Sequence, residues 1–289
     1  MIFSSHPDLI VGAQHGAPLA VGFGEDEMFV GSDGLALAPL TQRIAYLSNG
    51  DWAVLDRNGA HFFGADGAEV QREVKRSRLS ASSVGKGHFR HFMEKELHEH
   101  PGVIGATLHG MIDPIARTVA LPALPLAFAT LPRITISACG SAFYAGMVGR
   151  WWFESIARIQ TDADVASEFR YRAPPMTPEG LGILVSQSGE TADTMAALHY
   201  MREQRQHVLA VVNVPESSMA RASDAVLETV AGPEVSVAST KAFTAQLSVL
   251  ACLALAAGRA CGTISTDKEA ALMASLLDLP RHAEAAGLP

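Results

Sequence analysis

Apolar positions fall in short runs separated by Gly, Pro and Asp from the N-terminus to about residue 75, and in longer alternating blocks beyond Arg133. The early runs, Asp8–Ala13, Leu19–Gly22 and Met28–Val30, read as strands of an antiparallel assembly. Ile44-Ala45-Tyr46-Leu47 and Trp52-Ala53-Val54-Leu55 flank Asn49-Gly50, a pair suited to the positive φ of a tight hairpin turn. Asp66-Gly67, after His61-Phe62-Phe63, marks a second hairpin. No helix in this stretch is long enough to cover the strands. The pattern therefore predicts part of a sheet whose covering layer lies elsewhere, open to proteolysis before about Gly67.

From Val74 to His88 the chain turns basic and Ser/Gly-rich (Lys75-Arg76-Ser77-Arg78, then Ser80-Ala81-Ser82-Ser83), which reads as a linker. A polar helix from Phe89 to Glu99 follows, with Phe92 and Leu97 on its buried side and Pro101-Gly102 as its stop. Beyond Arg133 strands and helices alternate. Strands are expected at Ile134–Ser137, Ile159–Val165, Gly182–Val185, His207–Val214 and Ala225–Val230. Helices are expected at Ala142–Ile156, Thr191–Gln204, Ser218–Ala222 and Thr240–Ala257. Five strands separated by helices imply an α/β fold, a doubly wound parallel sheet covered on both faces. The chain shows no internal repeat.

In such sheets a ligand sits beyond the C-terminal strand ends where the strand order reverses, which for the order 2-1-3-4-5 lies between the first and third strands. The loops there are Ala138-Cys139-Gly140-Ser141-Ala142 and Ser186-Gln187-Ser188-Gly189-Glu190-Thr191. Each sets small hydroxyl residues and Gly directly before a helix, where free N–H groups and the helix dipole favour an anion. Helix capping by Ser and Thr is the competing reading of the same residues. A small phosphorylated ligand fits the pattern without being identified by it.

Composition narrows the classes. Among 289 residues, 22 Lys+Arg against 30 Asp+Glu give a net charge of −8, which argues against nucleic acid or an anionic membrane as partner. The apolar stretches Val119–Leu131 and Leu247–Ala257 are too short or too broken by Pro122 and Pro125 to span a bilayer. Met1-Ile2-Phe3-Ser4-Ser5-His6 lacks the pattern of a signal peptide. Cys139, Cys252 and Cys261 form no metal-like or disulfide spacing, which fits the cytoplasm. His88, His91, His98, His100 and Glu94 read as a solvated helix face, not a metal site. Trp151-Trp152-Phe153 reads as core, Cys139 as a buried structural thiol, and Ser188 lacks the Gly-x-Ser-x-Gly frame of a hydrolase elbow. Lys241, at a helix N-terminus, opposes the dipole and hints at a purpose.

Several segments carry a resemblance. Ser186-Gln187-Ser188-Gly189-Glu190-Thr191-Ala192-Asp193-Thr194, Ala166-Ser167-Glu168-Phe169-Arg170-Tyr171-Arg172 and Gly232-Pro233-Glu234-Val235-Ser236-Val237-Ala238-Ser239-Thr240-Lys241-Ala242-Phe243-Thr244 resemble the glutamine–fructose-6-phosphate aminotransferase (isomerizing), or glucosamine-6-phosphate synthase, family. Gly87-His88-Phe89-Arg90-His91-Phe92-Met93-Glu94-Lys95-Glu96 resembles the helix opening that family's isomerase half. His6-Pro7-Asp8 through Ala38-Pro39-Leu40 resembles the last part of its glutaminase domain.

The resemblance implies a SIS (sugar isomerase) domain of flavodoxin-like fold, preceded by part of an N-terminal-nucleophile glutaminase domain. The expected division is 1–72 glutaminase, 73–124 linker and helical segment, 125–265 first SIS domain, and 266–289 an inter-SIS segment. It implies a reaction of L-glutamine with D-fructose 6-phosphate that gives D-glucosamine 6-phosphate and L-glutamate, with no metal or organic cofactor, and a homodimer through SIS domains. Carried over to this sequence, the substrate contacts are Ser141, Ala142, Ser186, Gln187, Ser188 and Thr191, with the backbone of Val237, and Ser239. The family has Thr-Ser where this chain has Ser141-Ala142, so one phosphate-binding hydroxyl is absent.

The family's nucleophilic Cys and the Glu, His and Lys of its second SIS domain have no counterpart between Met1 and Pro289. The expectation is therefore a fragment with no catalytic residue of its own, inactive alone but able to bind fructose 6-phosphate or a related sugar phosphate. A non-catalytic SIS module that senses a sugar phosphate is the alternative.

Overall fold

The short apolar runs of the N-terminal part build two antiparallel sheets rather than one. The computed structural model of the protein describes residues 2–16, 18–77 and 84–287, and the chain divides into two units, residues 1–87 and 88–289. In the first unit the strands are β1 (Ile2–Phe3), β2 (His6–Ala13), β3 (Ala20–Phe23), β4 (Met28–Gly31), β5 (Arg43–Tyr46), β6 (Trp52–Leu55), β7 (Ala60–Phe63), β8 (Glu69–Val70) and β9 (Val74–Arg76). A one-turn helix, α1 (Gly34–Leu37), lies between β4 and β5. The sheets have the orders β1-β2-β6-β7-β8 and β4-β3-β5-β9.

Two expectations change here. Asn49-Gly50 does not close a hairpin: β5 pairs with β3 and β9, whereas β6 pairs with β2 and β7. Gly50 has the expected positive φ of 91°, but its N–H donates to the Gln14 carbonyl at 2.9 Å, and the Gln14 N–H donates to the Asp51 carbonyl at 2.8 Å. The turn is thus tied to the end of β2 and passes the chain from one sheet to the other. Nor does the covering layer lie elsewhere. Val21 and Ala45 from one sheet, and Ala53, Leu55 and Phe62 from the other, share one buried cluster.

Asp66-Gly67 does join the paired strands β7 and β8. The start of the expected linker, Val74–Arg76, is a strand in register with Arg43–Ala45; Arg78 and Ser80-Ala81-Ser82-Ser83 lie outside the described residues. Buried Asp51 locks the unit's turns by accepting two hydrogen bonds from Arg72, at 2.6 and 2.8 Å, and one from the Ser48 N–H at 2.7 Å.

In the second unit, helix α2 (Phe92–His109) runs through Pro101 instead of stopping there. The missing N–H forfeits one intrahelical bond, but Val103, Ile104, Thr107 and Leu108 beyond it are buried, and that burial holds the last turns. Glu96 is the most deeply buried residue of its first half; Phe92 and Leu97 are half-buried. A short hairpin, β10 (Ile112–Asp113) and β11 (Thr118–Val119), leads into the sheet.

The sheet strands are β12 (Ile134–Ala138), β13 (Thr161–Val165), β14 (Leu181–Ser186), β15 (His207–Val212) and β16 (Ala225–Glu228). They are parallel throughout, as the pattern predicted, and their order β13-β12-β14-β15-β16 is the 2-1-3-4-5 arrangement for which the switch point is read. The helices are α3 (Gly140–Trp152, continued by a π turn at Phe153–Ala157), α4 (Ala166–Arg172), α5 (Ala192–Glu203), α6 (Ser218–Ala222), α7 (Lys241–Ala260) and α8 (Thr266–Ala285). The sequence pattern had not shown α4, the β10–β11 hairpin or α8.

Helix α7 is the one described helix long and apolar enough to cross a membrane, and it is a buried core helix. Helix α3 lies close to β12 and α7 because Gly146 and Gly149 face them: an added Cβ would stand 2.9 Å from Ile136 and 3.1 Å from Leu250. Helix α8 is fastened by buried Glu269, which accepts from Thr118 Oγ1 at 2.7 Å, the Val119 N–H at 3.0 Å and Arg259 at 2.7 Å.

Candidate functional site

The two polar loops stand side by side, because β12 and β14 are neighbours in the sheet. Neither helix that follows is capped by a side chain: Cys139 stands at the N-cap of α3 and Thr191 at that of α5, each without a side-chain cap bond. The first-turn N–H groups of two helices therefore open toward the same space.

The second loop is stiffened from within. Ser186 Oγ accepts the Gly189 N–H at 3.0 Å and lies 3.1 Å from Thr191 Oγ1, and Ser188 Oγ accepts the Glu190 N–H at 3.2 Å. Gly189 has φ +66°, and a Cβ there would fall 2.1 Å from Ser217 Oγ, so both its backbone and its surroundings require glycine. Glu190 accepts the Ser218 N–H at 2.8 Å, and the Asn213 N–H donates to the Gln187 carbonyl at 3.1 Å.

A third loop, Gly232–Thr240, is held from both sides by carboxylates. Buried Glu234 accepts Ser239 Oγ at 2.8 Å and the N–H groups of Thr240 and Ala242 at 2.8 and 3.1 Å, and so caps α7. Glu96 of α2, 2% exposed, accepts the N–H groups of Val235 and Ser236 at 2.7 and 3.0 Å and also the Ser236 hydroxyl. Lys241, buried at the start of α7, donates to Glu99 of α2 at 2.6 Å, which gives this misplaced cation its purpose. Val237, at the loop's apex, has a fully exposed side chain.

The three loops line an open cavity of about 480 Å³. Ser141, Ala142, Ser186, Gln187, Ser188, Thr191, Val237 and Ser239 all line it, together with Cys139, Gly140, Val185, Ala238 and Gln246. Sequence reasoning missed Gln246: it sits in the first two turns of α7, just before the apolar run Leu247–Ala257, with Thr244 and Ser248 nearby, and nothing local marks it apart from them. Cys139, read as a buried thiol, is half-buried and faces the cavity. Among the described residues the lining contains no Lys, Arg, His, Asp or Glu. An anion there would be held by N–H groups, hydroxyls and helix dipoles.

The other sequence candidates lie outside the cavity. His88, His91 and His98 are exposed, and no metal-holding cluster occurs among the described residues. Burial pushes His100 below its usual range, with Glu234 opposing and Lys241 reinforcing the shift. Phe153 is core, but Trp152 is only half-buried and Trp151 is exposed. The Ala166–Arg172 motif forms α4, whose Arg170 pairs with Asp193 of α5 at 2.8 Å and so braces the second loop's helix.

The SIS domain family matches residues 128–256. A glutamine–fructose-6-phosphate aminotransferase [isomerizing] of Gluconobacter oxydans is 56% identical over 98% of this chain, and one of Bradyrhizobium diazoefficiens is 53% identical over 97%. The chain belongs to the glutamine–fructose-6-phosphate aminotransferase family. It spans 46% of the length of both relatives.

The solved C-terminal domain of glucosamine-fructose-6-phosphate aminotransferase from Francisella tularensis superposes with a TM-score of 0.65 at 33% identity, covering 68% of this chain and 55% of that one. A glucosamine-6-phosphate deaminase from Thermotoga maritima shares the fold alone, with a TM-score of 0.51 at 20% identity, covering 64% of this chain and 53% of that one.

Proposed function

We propose that the cavity binds the phosphate end of fructose 6-phosphate, or of a closely related sugar phosphate, as the recognition part of an aminotransferase that makes glucosamine 6-phosphate from it with nitrogen from glutamine. The observation that carries the reading is the convergence of two side-chain-free helix N-termini with four hydroxyls, Ser141, Ser186, Ser188 and Thr191, on one cavity without a cation. Such a site holds a phosphate by many neutral donors. The names of the relatives supply the reaction.

In this reading residues 1–72 are the C-terminal part of a glutamine amidotransferase domain, 73–124 a linker and helical segment, 125–265 the first SIS domain and 266–289 the segment after it. Ser141, the Ala142 N–H and the Ser186–Thr191 loop contact phosphate, while the Val237 backbone and Ser239 face the sugar. The fold pairs through α3, which exposes Tyr144, Met147, Val148 and Trp151 on one face; that apolar stripe supports a homodimer through SIS domains. Free cysteines, with burial pushing Cys252 up to about 12, support a cytoplasmic setting.

The lack of an acid or base in the described cavity lining favours a second reading, a SIS module that only binds sugar phosphate. Calorimetric titration with fructose 6-phosphate, with fructose as control, tests the shared step. Saturable binding that needs the phosphate and is lost in Ser188→Ala with Thr191→Ala is expected, and absence of binding by the folded chain would refute the site. Flanking coding sequence separates the two: a Cys-nucleophile start upstream and a second SIS domain downstream would mark the aminotransferase, and clean start and stop signals on both sides the pure binder.

A further inference from the structure

Gln246 is the one cavity-lining side chain that is nine-tenths buried yet carries an atom left without a partner. It is 1% exposed, and its Oε1 has no hydrogen-bond partner among the described residues. A buried amide oxygen left unpaired costs stability, so its retention in the buried face of α7 needs a compensating use. The missing partner must be a donor. An ionised phosphate offers oxygen acceptors only, whereas a sugar hydroxyl donates. We infer that Gln246 is a specificity-determining residue that accepts a hydrogen bond from a hydroxyl of the bound sugar, an inference that rests on the sugar-phosphate reading of the cavity.

This assignment divides the site by chemistry. The loops after β12 and β14 supply donors for the phosphate, and Gln246 supplies an acceptor for the sugar. It also makes opposite demands on the free and bound protein. With the site empty, the unpaired oxygen is a liability; with the sugar present, it is satisfied. Gln246→Met keeps the volume and removes the polarity. The free variant should therefore melt at or above the wild-type temperature. Its affinity for fructose 6-phosphate should fall about tenfold, the size expected for one lost hydrogen bond to a buried amide, while its affinity for inorganic phosphate stays unchanged.

The experiment is thermal melting of the ligand-free chain together with calorimetric titration of wild type, Gln246→Met and Ser188→Ala/Thr191→Ala with fructose 6-phosphate and with inorganic phosphate. Gln246→Asn, which withdraws the amide by one methylene, gives the same binding readout if the Met variant does not fold. A lowered melting temperature with unchanged preference for the sugar phosphate would show a structural amide and overturn the inference. Equal loss of both ligands would place Gln246 on the phosphate and overturn it too. Wild type that binds neither ligand would sink the site reading itself. Wild type whose binding is lost in Ser188→Ala/Thr191→Ala but kept in Gln246→Met would sink only the role given to Gln246.

Discussion

Replacing Glu96 by Ala should loosen the third loop without unfolding the sheet. The Glu96 carboxylate accepts the N–H groups of Val235 and Ser236 and the Ser236 hydroxyl, and among the described residues it is the acceptor of both N–H groups. An unpaired donor costs about 1–3 kcal/mol when buried. These donors are only partly buried, so water recovers a share, and a total near 2 kcal/mol, roughly thirtyfold in an equilibrium, is the working figure. That free energy belongs to the loop and not to the core, because Val237 at its apex packs against nothing.

Hydrogen exchange read by mass spectrometry is the assay. Amides of Val235 and Ser236 should lose about thirtyfold in protection, while those of β12 and β14 stay as in wild type. Glu96→Gln, which keeps one acceptor oxygen, should fall between the two. Unchanged exchange in the loop would refute the argument that α2 holds it. So would uniform loss across the sheet, since Glu96 would then support the core.

Three further outcomes follow from the same geometry. Gly189→Ala, with φ +66° and only 2.1 Å to Ser217 Oγ, should destabilise the second unit by about 2–4 kcal/mol in urea melts and abolish sugar-phosphate binding. Ala142→Ser restores a hydroxyl at the cavity lining and should tighten fructose 6-phosphate binding at least about tenfold in calorimetry; equal affinity would show that the Ala142 side chain does not face the phosphate. Burial raises the Asp51 carboxyl, but hydrogen bonds from Arg72 and the Ser48 N–H outweigh it, and the net shift is downward. A carboxyl lowered in the folded state adds stability above its unfolded pKa of about 3.9 and loses it as the pH falls through the folded value. Acid titration below about pH 4 should therefore destabilise the first unit more in wild type than in Arg72→Met, as tryptophan fluorescence of Trp52 would report.

Much of the second unit was legible in the chain itself. The parallel, doubly wound sheet followed from the alternation of short apolar runs and helices, and its order is the 2-1-3-4-5 for which the switch point is read. The switch point of that order brings the loops of Ser141 and Ser188 together, and both residues line the cavity. Capping was the rival reading of those loops, and only the structure showed Cys139 and Thr191 at the N-caps with no side-chain bond.

Where sequence and structure part, a long-range contact outweighed a local signal. Asn49-Gly50 is a proper hairpin pair, and Gly50 takes the positive φ, but bonds to Gln14 and burial of both Ala45 and Ala53 in the core between the sheets send the two strands to different sheets. Pro101 is a proper helix stop, yet packing of Val103 and Leu108 carries the helix past it. Lys241 stands against the helix dipole until Glu99, 142 positions away in the chain, supplies its partner. Periodicity and turn chemistry are local, so the sequence by itself determined the five strands of the second unit's sheet, most of its helices and the two loops at its switch point. Which strands share a sheet, which carboxylate holds which loop, and that Gln246 reaches the cavity are matters of pairs distant in sequence. Those only the tertiary structure decided.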